Sequence, residues 1–120
     1  MEKPILMTKK EILALSSMIF SEQIDWLCQN KVMKHKHIDG NLHLGESLAD
    51  CAFRLRDEVY KESSSHYVTL QWFKKFMFQV SDKVHGIKDL NEKDSVRFWL
   101  SEAQPIHWIQ ACLLAKGGEG

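Results

Sequence analysis

Neither sign of charge prevails in this chain: sixteen lysines and arginines meet sixteen aspartates and glutamates across 120 residues. Without a net field, nothing steers the whole molecule toward nucleic acid or an anionic membrane, and any such contact has to be local. Cysteine is scarce as well. Cys28, Cys51 and Cys112 are odd in number, far apart and without a Cys-x-x-Cys pair. That spacing speaks against a disulfide framework or a zinc ribbon and for buried free thiols in a reducing cytoplasm. No uninterrupted apolar run approaches the ~20 residues that span a bilayer. Lys9 and Lys10 followed by ILALSSMIF imitate the charged and apolar parts of a secretory signal, but Glu11 interrupts them and no small-residue cleavage site follows. A cytoplasmic protein with no membrane partner is expected. Internal repeats and domain-dividing linkers are also lacking. No stretch carries a catalytic or cofactor signature that names a reaction, so a non-enzymatic protein without a cofactor is expected.

What is present is an ordinary globular composition, 44% hydrophobic and 27% charged, sufficient for one core without disulfides or a structural metal. Residues 1–7 read as a loose leader and 116–120 as a flexible tail. Thr8 and Glu11 have capping-box spacing, so a first helix is expected from there to about Asn30, with Ser21 able to cap a separate second segment. Ile12, Leu15, Ile19, Phe20, Ile24 and Leu27 supply its apolar face. Gly45 and Ser47 punctuate the entry to a second helix, where Leu48, Cys51, Ala52, Leu55 and Val59 recur at helical spacing. Its other side carries Glu46, Asp50, Arg54, Asp57 and Lys61, which read as a solvated face with i,i+4 pairs from Asp50 to Arg54 and from Asp57 to Lys61.

Ser63, Ser64 and Ser65 form a short linker. A third helix is expected from about Tyr67 to His85, stopped by Gly86, and its broad apolar arc suggests a central position. Asp94 or Ser95 would cap a fourth helix, and Pro105 suits the first turn of a fifth over 105–115. This last segment, PIHWIQACLLA, has almost no polar face. It is either enclosed by its own domain or shared with a second copy in a homo-oligomer.

Between the first two helices lies KVMKHKHIDGNLHLG, residues 31–45, with half of the histidines. Asp39-Gly40 is a type I′ hairpin signal, because both central residues need positive φ. That turn sets Ile38 opposite Asn41, His37 opposite Leu42, Lys36 opposite His43 and His35 opposite Leu44. Strand alternation then assigns His35, His37, Met33, Leu42 and Leu44 to one face, expected to turn toward the helices. Lys34, Lys36, Asn41 and His43 share the other, expected to face water. Because His43 points away from His35 and His37, this register weakens a three-histidine zinc site within the ribbon. A metal would need a distant third ligand such as His66 or His85, and none is expected. The basic face could instead lie against phosphates, although no recognition helix with base-reading residues accompanies it.

On the second helix, Glu46, Asp50, Asp57 and Glu58 are interleaved with Arg54 and Lys61. The acidic clusters on two facing helices that a Mg²⁺-dependent hydrolase needs have no counterpart elsewhere in the chain. Phe53 and Tyr60 are seven residues apart with Arg56 between them, on one side outside the buried stripe. These are residue types enriched at interface hot spots. A second neighbouring helix that covers them is the competing structural explanation.

Two segments, GESLADCAFRLRDE at 45–58 and AQPIHWIQACLLAK at 103–116, resemble small uncharacterised accessory proteins of temperate phages and prophages. The resemblance covers under a quarter of the chain and carries over no functional residue. It implies a small factor that acts by binding a host protein. The combined expectation is a single all-α domain of about five helices with one small β-hairpin between the first and second. Its function is non-catalytic protein binding through Phe53, Arg56 and Tyr60 or the hairpin tip. The alternative is a nucleic-acid-binding regulator that uses Lys34, Lys36 and His43.

Overall fold

The computed structural model describes residues 8–62 and 66–117, a mainly helical chain with one two-stranded antiparallel hairpin. In order, the elements are α1 (Lys9–Ala14), a 3-10 turn (Leu15–Ser17), α2 (Phe20–Gln29), β1 (His35–Ile38), β2 (Asn41–Leu44), α3 (Leu48–Lys61), α4 (His66–His85), α5 (Glu92–Ser101) and α6 (Pro105–Ala115). The expected leader at 1–7, the serine linker at 63–65 and the last three residues of the expected tail lie outside the described residues.

Local chemistry sets most helix ends. Thr8 Oγ1 accepts the Glu11 N–H at 3.1 Å, closing the capping box that starts α1. Ser47 Oγ accepts the Asp50 N–H at the head of α3, and Pro105 opens α6. Gly86 ends α4. Two boundaries differ from the sequence expectation. The first helix is broken after Ala14, and Glu22 starts α2 by accepting the Ile19 N–H at 3.1 Å. The break leaves Ile19 and Phe20 outside, 66% and 64% exposed, instead of in the apolar stripe. Helix α5 is capped by Asn91, whose Oδ1 accepts the Asp94 N–H at 2.8 Å. Ser95, one of the two expected caps, is instead fully buried with its hydroxyl 2.7 Å from that of Ser81, where α5 meets α4.

Helix α6 is the centre of the domain, packed by α3, α4 and α1 together. Ile106, Ile109, Ala111, Cys112, Leu113 and Leu114 are all buried, each large aliphatic side chain contributing about 1.5–3 kcal/mol by leaving water. The central place expected for the third helix therefore belongs to the last. An amphipathic α4 can leave one side in water, whereas α6 has no side fit for it. Enclosure inside the domain leaves Pro105, Trp108 and Ala115 as the apolar side chains of 105–115 that reach the surface.

One polar residue of α6 is turned to structural use. Gln110, fully buried, donates its side-chain N–H groups to the carbonyls of Ile12 at 2.9 Å and Leu13 at 3.2 Å. Gln23 of α2 does the same for Leu15 at 3.0 Å and Met18 at 3.2 Å. The Ile12 and Leu15 carbonyls also accept the Leu15 and Met18 N–H groups, so the amides add second bonds that tie the turn to α6 and α2.

At the end of α2 the Lys31 N–H donates to Cys28 O and the Val32 N–H to Leu27 O, a Schellman turn with a lysine at the left-handed position, φ 58°. A Cβ is disfavoured there. Lys31→Gly is expected to raise the free energy of unfolding by about 0.5–1 kcal/mol in a urea melt, the strain relieved outweighing the added freedom of the unfolded chain. An unchanged or lowered midpoint would contradict that balance.

Candidate interaction surface

On α3, the stripe of Cys51, Ala52, Leu55 and Val59 turns inward as its spacing predicts. Phe53, Arg56 and Tyr60 fall outside it and remain substantially exposed, Phe53 at 55% and Tyr60 at 45%. The Arg56 guanidinium lies over the Phe53 ring, 4.8 Å from its centroid, a cation–π contact that holds both side chains on the surface.

Trp108 stands beside them, half-buried, the one apolar side chain of α6 between Pro105 and Ala115 that reaches the outside. Its ring packs at 4.7 Å against Trp99 of α5, whose indole N–H donates to Met77 O at 3.0 Å. Three clefts open around this indole. One of about 260 Å³ runs between Phe53, Arg56, Ala103 and Pro105. The next, about 320 Å³, lies between Arg56, Tyr60, Phe73 and Met77. The third, about 430 Å³, lies between Met77, Phe78, Val96 and Leu100. Leu100, at its rim, is 83% exposed. The sequence-predicted trio thus forms one border of an apolar face whose other members, Trp108, Val96 and Leu100, spacing alone did not single out. Val96 and Leu100 were legible in principle, as an i,i+4 apolar pair on a short helix otherwise polar on that side.

The hairpin pairs in the expected register, His35 with Leu44 through Ile38 with Asn41, and Asp39 and Gly40 have φ of 51° and 81° as a type I′ turn requires. Lys34, Lys36 and His43 are exposed on one face. The opposite face does not turn toward the helices as expected. Met33 is buried and His35 half-buried, with His35 Nδ1 2.9 Å from Met33 O, but His37, Leu42 and Leu44 are exposed. Among the described residues the ribbon is gripped only at its base, and its far end is exposed. His37 stays 5.6 Å from His35, edge to face. Among the described residues no three His, Cys, Asp or Glu groups gather where a metal ion would sit.

That grip is electrostatic. Arg54 holds Glu46 with two hydrogen bonds of 2.6 and 3.2 Å, Glu58 at 2.8 Å and the Val32 carbonyl at 2.6 Å. Glu46 also accepts the Lys34 N–H at 2.9 Å, and Gly45 N–H donates to Lys34 O at 2.8 Å. A Cβ on Gly45 would come within 3.3 Å of Lys34, so the close approach suits glycine. The face of α3 expected to be solvated is therefore partly closed: the Glu46 side chain is only 8% exposed, and Arg54 passes over Asp50 for Glu46 and Glu58. Glu58 extends the network to Lys116 at 2.7 Å, tying the end of α6 to α3.

The charges shift accordingly. Burial pushes the Glu46 and Glu58 carboxyls up, but hydrogen bonds and charge from Arg54, Lys34 N–H and Lys116 outweigh it and hold both below the usual carboxylate range. The bonds from Glu46 raise Arg54 further above its already high value. Cys51 and Cys112 are pushed up to about 12, chiefly by burial, so neither is a thiolate nucleophile at neutral pH. Burial lowers His107, whose Nδ1 accepts the Gln104 N–H at 2.8 Å and so carries no proton.

No protein-family model, curated protein or solved structure matches this chain. No helix among the described residues is long and apolar enough to cross a membrane.

All three lowered groups act in the same direction with pH. His107 has its full stabilising effect above the ordinary imidazole value of about 6.5, and the effect is lost as pH falls below it. Glu46 and Glu58 follow below about 4.3. Thermal melts are expected to show stability declining from about pH 6.5 downward, with the part between about pH 5 and 6.5 diminished in His107→Asn. An identical slope in the variant would remove His107 as the cause.

Proposed function

We propose that this chain is a small non-catalytic protein-binding module that seats a protein partner on the face around Trp108, with Phe53, Arg56 and Tyr60 among its contacts. The observation that carries this reading is the exposure of Phe53, Tyr60 and Leu100 around connected apolar clefts. A contiguous apolar patch of that kind marks interaction sites, and aromatic residues and arginine are the usual anchors. The resemblance of residues 45–58 and 103–116 to phage accessory proteins supports the same class. In that setting the chain would work in the cytoplasm and modulate a host protein.

A second reading is favoured by the exposure of Lys34, Lys36 and His43 on one face of the projecting hairpin. Such a ribbon can lie along phosphates, and the chain would then be a nucleic-acid-binding regulator.

Capture from a native host lysate tests both. Phe53→Ala with Tyr60→Ala is expected to weaken the captured partner about 30-fold or more, as two anchor side chains do, while the chain still unfolds cooperatively. Full retention of the partner contradicts the protein-binding face. If duplex DNA instead binds with an affinity that falls steeply with salt and with neutralisation of Lys34 and Lys36, the hairpin reading replaces it.

A further inference from the structure

The hairpin has an open strand edge whose hydrogen-bonding groups follow from its register, and what that edge accepts is independent of the Trp108 face. The Gly45 N–H donates to Lys34 O at 2.8 Å, and beyond it His35 pairs with Leu44, Lys36 with His43, His37 with Leu42 and Ile38 with Asn41. In an antiparallel pair, hydrogen-bonded and non-hydrogen-bonded positions alternate. Lys36 and Ile38 therefore turn their backbone groups toward β2, whereas His35 and His37 turn theirs away from it. Among the described residues nothing hydrogen-bonds to the backbone N–H or C=O groups of His35 and His37. This edge of β1 thus offers two donors and two acceptors to whatever lies along it.

Charge says what that is. Lys34 and Lys36 are exposed on one face of β1 with His43 beside Lys36 on β2, and none of the three has an ion pair among the described residues. A DNA backbone would answer the lysines, but its phosphates only accept, so the His35 and His37 carbonyls would be left unmatched. A second copy of this chain matches donors with acceptors but sets Lys36 directly opposite its own Lys36. Like charges so placed are destabilising, and lysine on an edge strand guards against such pairing. A strand of another protein meets both demands when it carries carboxylates on the lysine face. We infer that β1 takes up an extended segment of a partner protein as a third strand, on the side away from β2. Its backbone pairs with His35 and His37, and its alternate residues are acidic, with Asp or Glu opposite Lys36 and next to Lys34.

Ten-residue peptides that alternate glutamate with varied apolar residues, screened against the full chain, test this. The expected outcome is a binder that protects the His35 and His37 amides from hydrogen exchange and leaves those of Leu42 and Leu44, on the far edge, as in the free chain. Lys36→Glu is expected to weaken that binder about tenfold or more, and lysine in place of the opposing glutamate to restore it. His37→Pro removes an outward N–H without touching the ladder and is expected to abolish the protection. Should that variant lose the hairpin, Lys36→Glu, a change at an exposed side chain, still decides. No binder, protection at Leu42 and Leu44 instead, binding without protection at His35 and His37, or binding that Lys36→Glu leaves intact each overturns the proposal. Protection that rises with the concentration of the chain alone makes a second copy the occupant, and duplex DNA that displaces the peptide and binds more tightly returns the edge to the nucleic-acid reading; both overturn it. Phe53→Ala with Tyr60→Ala is expected to leave the protection unchanged, so failure here is distinct from failure of the Trp108 face.

Discussion

A helix with almost no polar face has to be covered on every side, and this chain arranges its other helices to do that for α6. Helices α1, α3 and α4 surround it, with α5 joined to α4 through the Ser81–Ser95 hydroxyl pair and the Trp99 indole. Coverage stops at one strip. There Trp108 reaches the surface between α3, α4 and α5, and the side chains that flank it are themselves apolar. The core and the candidate surface are thus two sides of the same helix: burying α6 produces the domain, and the strip left open produces the groove.

Arg54 adds the second organising element. Its guanidinium joins α3 to the base of the hairpin through Glu46 and the Val32 carbonyl, and to α6 through Glu58 and Lys116. Planar, multidentate bonding of this kind is a geometry that lysine cannot reproduce. A pair as enclosed as Glu46–Arg54 contributes less net stability than its short distances suggest, since both charges lose water. Its contribution is orientation, because the hairpin has little apolar packing beyond Met33 and would otherwise pivot at its base. The body and the ribbon are consequently separate surfaces, one apolar and aromatic, the other basic on one face.

Local signals in the sequence were reliable guides to local structure. Thr8 with Glu11, Ser47, Gly86, Pro105 and the Asp39-Gly40 turn all act where their chemistry places them, and hairpin register followed from the turn. Tertiary choices were less legible. Periodicity identifies which residues share a face but not what stands opposite, so it turns the hairpin's His37, Leu42 and Leu44 inward although all three are exposed. Continuous apolar spacing hid the break after Ala14, because the glutamines that secure it, Gln23 and Gln110, come from elsewhere in the chain. Arg54 looked solvated because it shares a polar face with Glu46 and Asp50, whereas the Val32 carbonyl and the hairpin base that close over that face come from earlier in the chain. For the candidate surface, the hot-spot composition of Phe53, Arg56 and Tyr60 was visible. Trp108 was not separable from an all-apolar helix until its neighbours were in place.

Photocrosslinking in cells of the natural host tests the central claim directly. A benzophenone side chain placed at Phe53 or Leu100, on opposite borders of the Trp108 face, is expected to give the same covalent adduct, while one at Leu42 on the hairpin or at Phe20 on α2 gives none. An adduct from Leu42 or Phe20 with none from Phe53 and Leu100 would contradict the account and move the functional surface away from α6.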